Sequence, residues 1–447
     1  MINHQSSSPH HFSIHNTQFA FDPITLDLVA FDPSVSAKPL ILTPPGIDPK
    51  LAVVRKPSPP GRIRRVTLEV TPDCHLRCRY CYLDDRSTGR GAGFLNVETA
   101  TGFLKSAACG GSLPGISFFG GEPCLGWKRI EAIVDWAEAF HQSTGQPQPP
   151  QFHITTSGTL LTPARADYLA AHRFSIIVSI DGNERLHNAN RKTLAGKPTF
   201  DRVMAGLELL KAAGCSKRIT LRATYDGQLI DGGFQLAARA EFLNQLCDDG
   251  YASHASVEPA FIGDSAKTAI CEKSVALSDG LIELLDSEYD ELGDWFIGRE
   301  RSGKQARFHQ IEAPLRRLEK KQPSDSECGA GKGYVALGSD GRLHACHRQS
   351  HDLAVIGDAE TGIDPARRAV WTDNLTTRRT DCASCPIRRV CGGGCRIDSL
   401  CETGDMMRSV GVFCRIKNAC FRQSARILLT RAERDGEGNG GKRRMLK

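Results

Sequence analysis

Cys74, Cys78 and Cys81 stand close together in the stretch Thr71-Pro72-Asp73-Cys74-His75-Leu76-Arg77-Cys78-Arg79-Tyr80-Cys81. Thiolates at C-x3-C-x2-C spacing can hold three irons of a 4Fe–4S cubane, whose usual complement is four cysteines. The fourth iron is then left without a protein ligand. An iron with an open position can bind and react with a small molecule, whereas a fully thiolated cluster mostly passes electrons. Two plainer readings compete with this one, a zinc knuckle and unligated structural thiols. A closed zinc site takes four ligands, usually with a second pair downstream. His75, adjacent to Cys74, is awkwardly placed to be the fourth.

The surrounding pattern predicts the elements that must carry these thiols. From residue 65 apolar strand and helix signals alternate. Strands are expected at 66–70, 115–119, 152–156, 174–180, 218–224 and 255–261. The intervening helices are expected at 96–108, 127–142, up to about 172, 201–213 and 234–248. Six β–α repeats imply a parallel sheet with right-handed crossovers. Two more helices are expected at 277–297 and 308–320. Before the repeats, Phe12-Ser13-Ile14, Phe19-Ala20-Phe21 and Leu26-Asp27-Leu28-Val29-Ala30-Phe31 read as a hairpin or small sheet. Pro44-Pro45 and Pro57-Ser58-Pro59-Pro60 then read as a linker.

C-x3-C-x-aromatic-C at the end of an early strand resembles the radical S-adenosylmethionine (SAM) enzymes. The resemblance implies a partial (β/α)6 TIM barrel in the α/β class, with its chemistry at the strand C-terminal ends. It also implies that the open iron chelates the methionine part of SAM, and that electron transfer from the cluster yields a 5′-deoxyadenosyl radical. Tyr80 would then lie beside the adenine. Gly120-Gly121-Glu122-Pro123, directly after the second strand, resembles the family's GGEP motif, which binds the SAM amino group. A plain strand-end turn is the alternative reading of those four residues. Ser157, at the end of the third strand, is a candidate ribose or carboxylate contact, or else a turn-capping serine. By the same resemblance Ser179 and Arg191 contact the SAM ribose and carboxylate. Arginine's fork suits a carboxylate, and a surface salt bridge is its other reading. Asp181 is expected to cap the following helix.

A second cysteine series runs Cys328, Cys346, Cys382, Cys385, Cys391, Cys395 and Cys414. It resembles the SPASM extension, which implies two auxiliary 4Fe–4S clusters beside the SAM-binding one. By that carry-over Cys328, Cys346 and Cys395 hold the first, and Cys382, Cys385, Cys391 and Cys414 the second. A zinc ribbon over Cys382–Cys395 is the alternative. Some relatives carry a further cysteine just before this series. None stands in Lys321-Gln322-Pro323-Ser324-Asp325-Ser326-Glu327, so the first auxiliary cluster would have an open iron or borrow Cys271. Of the remaining cysteines (Cys109, Cys124, Cys215, Cys247, Cys271, Cys401 and Cys420), most are expected to be small core residues. His347 follows Cys346 where sulfatase-maturing members of the family have an aspartate base. It is a candidate catalytic base or a hydrogen-bond donor to a cluster sulfur.

The composition fits this reading. At 447 residues the chain exceeds one ordinary domain. Its net charge of +6 is too mild to call for nucleic acid. No apolar run approaches a membrane span, and the N-terminus lacks a signal pattern. Clustered cysteines without an export signal read as metal ligands in a reducing compartment, the cytoplasm. The expected division is residues 1–63 as a hairpin and linker, 64–270 as the barrel, and 271–324 as a helical bridge. Residues 325–425 follow as the auxiliary-cluster domain, and 426–447 as a basic, disordered tail.

SPASM relatives mostly modify peptides or proteins. The function expected is therefore a maturase that abstracts hydrogen from a ribosomally made precursor and installs a thioether or carbon–carbon cross-link, with flavodoxin or ferredoxin as electron donor. Residues 10–33 could pair a leader peptide as an added strand, or merely cover the barrel. Formylglycine formation, peptide epimerisation and a non-catalytic iron–sulfur electron carrier are the rival functions.

Overall fold

The computed structural model describes residues 9–31, 40–43, 61–81, 93–260, 278–324, 326, 328–348, 352–373, 376 and 378–438. The chain opens with four short strands: β1 (His10–Ile14), β2 (Thr17–Phe21), β3 (Leu28–Phe31) and β4 (Leu40–Ile41). They form an antiparallel sheet in sequence order. Alternation along β2 turns Phe19 and Phe21 to the buried side. Phe12 and Phe21 pack on Phe421 at ring-centroid distances of 5.5 and 4.9 Å. The buried Lys321 ammonium donates to Leu26 O, Asp27 Oδ1 and Thr43 Oγ1 at 2.6–2.8 Å. Arg389 donates to Ile24 O. These contacts fasten the small sheet to the C-terminal half of the chain.

The β–α series follows as β5 (Arg65–Thr71), β6 (Leu76–Cys78), α1 (Val97–Ala107), β7 (Gly115–Gly120), α2 (Trp127–Thr144), β8 (Phe152–Thr156), α3 (Pro163–Ala171) and β9 (Ser175–Ser179). It continues with α4 (Glu184–Asn190), β10 (Arg191–Thr193), α5 (Phe200–Ala212), β11 (Ile219–Tyr225), α6 (Leu236–Asp248) and β12 (His254–Pro259). The six long strands pair in parallel in the order β12-β11-β9-β8-β7-β5. Val66, Leu68, Ile116, Phe118, Ile154, Val178 and Leu221 on these strands are fully buried. Each contributes about 1.5–3 kcal/mol by leaving water. Gln235, before α6, makes no side-chain cap and holds a left-handed backbone. Glu288 caps that helix from afar, accepting from the amides of Phe234, Gln235 (3.1 Å) and Leu236 (2.8 Å).

The bridge is α7 (Asp279–Arg301) and α8 (His309–Glu319). Beyond it the structure departs from expectation. Strands β13 (Tyr334–Leu337), β14 (Arg342–His344), β15 (Val355–Asp358) and β16 (Gly362–Ile363) extend the barrel sheet. β13 runs parallel to β5, with Val335 opposite Val66, and the others follow antiparallel. Helices α9 (Pro365–Thr372), α10 (Arg388–Cys391), α11 (Arg396–Thr403) and α12 (Gly411–Gly438) complete the chain.

The expected disordered tail from 426 is corrected as far as residue 438, because α12 continues through it. Ile427 and Leu428 are buried. A row of polar bonds ties the helix to α7: Arg415 to Asp286, Gln423 to Asp290, Arg426 to Asp294 and Arg431 to Glu300. Among the described residues no helix is long and apolar enough to cross a membrane.

Candidate functional site

β6 hangs the first cysteine loop on β10, with Cys78 opposite Arg191 and Leu76 opposite Thr193 in an antiparallel ladder. The Cys81 amide closes a turn onto Cys78 O at 3.0 Å, and the Leu76 amide donates to Cys74 Sγ at 3.4 Å. All three cysteines are half-buried. Burial pushes the Cys74 thiol up to about 11, against the pull of the Leu76 amide. Burial likewise pushes Cys78 up to about 12, against the pull of Arg191. Such thiols ionise near neutral pH only when a bound cation compensates them, as a metal centre does. Arg191 Nη1 also lies 3.8 Å from Cys78 Sγ as a donor, which suits an anionic sulfur. The donor set therefore fits a cluster. Among the described residues, no three His, Cys, Asp or Glu side chains converge on one metal ion.

The end of β7 lies directly against this loop. A Cβ on Gly120, whose φ is +139°, would stand 2.2 Å from Thr71 O, and one on Gly121 2.2 Å from Asp73 O. Only glycine admits that approach. The amides of Gly121 and Glu122 donate to the same two carbonyls at 2.9 Å, and Pro123 opens the next turn. The buried Glu122 carboxylate takes four donors. Thr156 Oγ1 (2.7 Å) and the Cys124 amide (3.2 Å) reach Oε1, and the Ser157 amide (2.8 Å) and hydroxyl (2.7 Å) reach Oε2. Thr159 Oγ1 joins Ser157 Oγ at 3.0 Å and His75 Nε2 at 2.6 Å. Glu122 and Ser157, read separately as ligand contacts, thus meet each other and brace β7 against β8.

Across the mouth stands a second buried carboxylate, Asp181. Its Oδ2 accepts from the Tyr80 hydroxyl at 2.6 Å. Its Oδ1 accepts from Arg191 Nε at 3.0 Å and the Thr224 amide at 2.9 Å. Its carbonyl accepts from Arg239 Nη1. The expected helix-capping role is corrected, because Asn183 caps α4 through the Leu186 amide. Arg191 is buried and paired inward, so its surface-bridge alternative falls. Its guanidinium also lies 5.4 Å from the Tyr80 ring centre. Ser179 sits half-buried at the end of β9, opposite Arg222. Buried His187 accepts the Asp181 amide at 3.4 Å and meets Thr199 Oγ1 at 3.0 Å, and burial pulls its imidazole down to about 4. Asp181, Arg239 and His187 were not read as a unit from the sequence. An arginine among the apolar positions of α6 was the available signal.

The C-terminal thiols fall into two neighbourhoods. Burial pushes Cys346 up to about 11, Arg348 opposes that shift and the nearby Cys328 thiol adds to it. Cys395 is raised by burial, with Asp398 and Cys346 adding to that and Arg348 opposing. The Arg348 amide reaches Cys346 Sγ and its Nη1 reaches Cys395 Sγ, both at 3.5 Å, while Nη2 pairs with Asp398 at 2.9 Å. Cys382, Cys385, Cys391 and Cys414 line a pocket open to solvent, and Cys395 lines it too, so that residue joins the two neighbourhoods.

His347 Nδ1 bonds the Tyr334 hydroxyl, and its ring lies 4.4 Å from Phe119, one residue before Gly120. The structure thus brings His347 to the edge of the barrel mouth. Of the other cysteines, Cys124, Cys215, Cys247 and Cys420 are buried as expected, whereas Cys109 is exposed. Cys271 and the side chain of Cys401 lie outside the described residues.

Residues 68–228 match the Radical SAM superfamily. The radical SAM cyclopropyl synthase TigE of Paramaledivibacter caminithermalis is 26% identical over 164 residues, covering 34% of this chain and 33% of that one. A cysteine-type anaerobic sulfatase-maturating enzyme of Clostridium perfringens is 27% identical over 169 residues, covering 36% and 41%. The chain therefore spans well under half the length of these curated relatives. In fold it resembles native anSMEcpe with bound AdoMet, at a TM-score of 0.67 and 17% identity, covering 83% of this chain and 99% of that one. That protein has also been solved with a bound Cp18Cys peptide.

Proposed function

From the premise that residues 68–228 form a domain of the radical SAM superfamily of enzymes, we propose that the chain is a peptide maturase acting through SAM. The observation that carries this reading is the meeting of Cys74, Cys78 and Cys81 with the Gly120–Glu122 turn at the C-terminal end of a parallel sheet. When bound there, a 4Fe–4S cluster and SAM would supply an electron and a 5′-deoxyadenosyl radical able to abstract hydrogen. The three cysteines would hold the cluster. Gly120 and Gly121 let the loop and β7 approach closely enough to share one ligand. Tyr80, Ser179 and Arg191 border the space for the nucleotide, and the Glu122–Ser157 brace keeps the two strand ends in register.

Two auxiliary clusters are part of the proposal. The Cys328, Cys346 and Cys395 neighbourhood and the pocket of Cys382, Cys385, Cys391 and Cys414 support them. Loss of a second electron to them would allow net oxidation of the peptide as a cross-link. His347, fixed by Tyr334 beside Phe119, is the candidate proton acceptor. Formylglycine formation is the second reading, favoured by the fold shared with anSMEcpe. The electron donor proposed is a flavodoxin or ferredoxin. The proposed compartment is a reducing one, the cytoplasm, because the cysteines cluster at metal-ligand spacings.

The test is anaerobic reconstitution followed by reduction with SAM. The wild-type chain is expected to release 5′-deoxyadenosine and Cys74→Ala none. Release by that variant would refute the assignment of the first cluster. With a candidate precursor, a product lighter by two hydrogens and unreactive toward an aldehyde probe indicates a cross-link. An aldehyde indicates formylglycine, and unchanged mass with an inverted centre indicates epimerisation.

A further inference from the structure

Asp181 is held from several sides of the barrel mouth. It is fully buried. Its two oxygens hold Tyr80, Arg191 and the Thr224 amide. Those partners belong to three different pieces of chain. Tyr80 lies in the cysteine loop, between Cys78 and Cys81. Arg191 opens β10, the strand on which that loop hangs, and stands opposite Cys78 in the ladder. Thr224 is near the end of β11, beside the mouth. Arg239 of α6 fixes the Asp181 carbonyl from behind, and Gly182 turns the chain away at φ +127°. The carboxylate also pairs with the buried Arg191 guanidinium that faces Cys78.

We propose that Asp181 is a positioning residue that locks the cysteine loop onto the barrel mouth, holding the Tyr80 ring and the Arg191 fork where the nucleotide binds. The assignment rests on the SAM-dependent reading above. It predicts that losing the carboxylate harms SAM binding through Tyr80 and Arg191 rather than by unfolding the chain. Asparagine keeps the shape but carries no charge and turns one acceptor into a donor. Removing only the Tyr80 hydroxyl, as in Tyr80→Phe, cuts the same tether and spares the ring.

The experiment compares full-length, anaerobically reconstituted wild type, Asp181→Asn, Tyr80→Phe and the double variant. It reads iron per chain, the change that SAM causes in the electron paramagnetic resonance of the reduced cluster, and KM and kcat for SAM cleavage. Asp181→Asn should raise KM for SAM by about 10-fold or more, weaken the SAM-induced spectral change, and lower kcat less. The double variant should stay within about 2-fold of Asp181→Asn, because both substitutions cut one connection.

A wild-type KM and spectral response in Asp181→Asn would overturn the assignment, as would a lower melting temperature with unchanged KM or a fully multiplicative double variant. Should Asp181→Asn fail to fold, Tyr80→Phe alone must raise KM, and a wild-type KM there overturns the proposal. Absence of any SAM response in the wild type sinks the function and this inference together. A responsive wild type with unaltered variants sinks only the role of Asp181.

Discussion

The thiols of Cys74, Cys78 and Cys81 hang from regular structure, while those between Cys382 and Cys414 hang mainly from turns and short helices. The first loop is a strand paired to β10 and pressed against β7, with buried carboxylates on both flanks. The second group surrounds a pocket open to solvent. Its positively charged neighbours, Arg379 and Arg388, sit on the same short segments as the thiols they face. A loop that must meet a small ligand in one geometry is fixed by long-range backbone pairing. On the proposed reading, the second group encloses a cluster and can draw its shape from it. The first site should therefore keep its geometry without iron, and the second should depend on iron for order.

The sharpest way to break this contrast is by ligand removal. Cys78→Ala should reduce SAM cleavage to background while the melting temperature changes little. Cys385→Ala should leave SAM cleavage measurable, abolish peptide product and make the C-terminal region susceptible to protease. Equal thermal losses in both variants would erase the distinction.

Acid probes the first region next. The unfolded His187 imidazole takes a proton near 6.5, but the buried one resists until about 4. Between those values the unfolded chain binds the extra proton, so stability present above 6.5 falls as the pH drops toward 4. The loss is on the order of 3 kcal/mol, measured by denaturant melts. His187→Gln should flatten that window.

A smaller effect is expected at Arg348, the link between Cys346 and Cys395. Arg348→Ala should weaken iron retention at those thiols by roughly 10–100-fold and spare the first site's iron, as counted by site-resolved spectroscopy. The smallest concerns α12, which carries Cys414. Arg431→Ala removes its bonds to Glu300 and Glu319 and should cost about 1 kcal/mol or less, read as a slight fall in thermal midpoint.

The barrel was legible because its strands are apolar runs separated by amphipathic helices. The expected strand at 115–119 is β7, and the expected helix at 234–248 is α6 with two residues trimmed. The cysteine spacings were legible because ligands cluster in sequence. Strands β13 to β16 escaped notice because stretches of two to four residues leave no period to detect. α12 went unread as a helix, and the glycines and charges at its end look like a tail. Pairing with α7 supplies what local propensity does not. The braces at Glu122 and Asp181 were hidden for a further reason. Glu122 at a strand end reads as a ligand contact and Asp181 as a helix cap, and only tertiary structure reveals that Thr156 and Ser157 hold the one and Tyr80 and Arg191 the other.

The parallel pairing of β13 with β5 has a mechanical meaning. β5 leads into Cys74, and β13 with β14 leads into Cys346, so one continuous backbone ladder sets the spacing between the two groups of thiols. Amide protons along β13 should therefore exchange as slowly as those of the barrel's own strands.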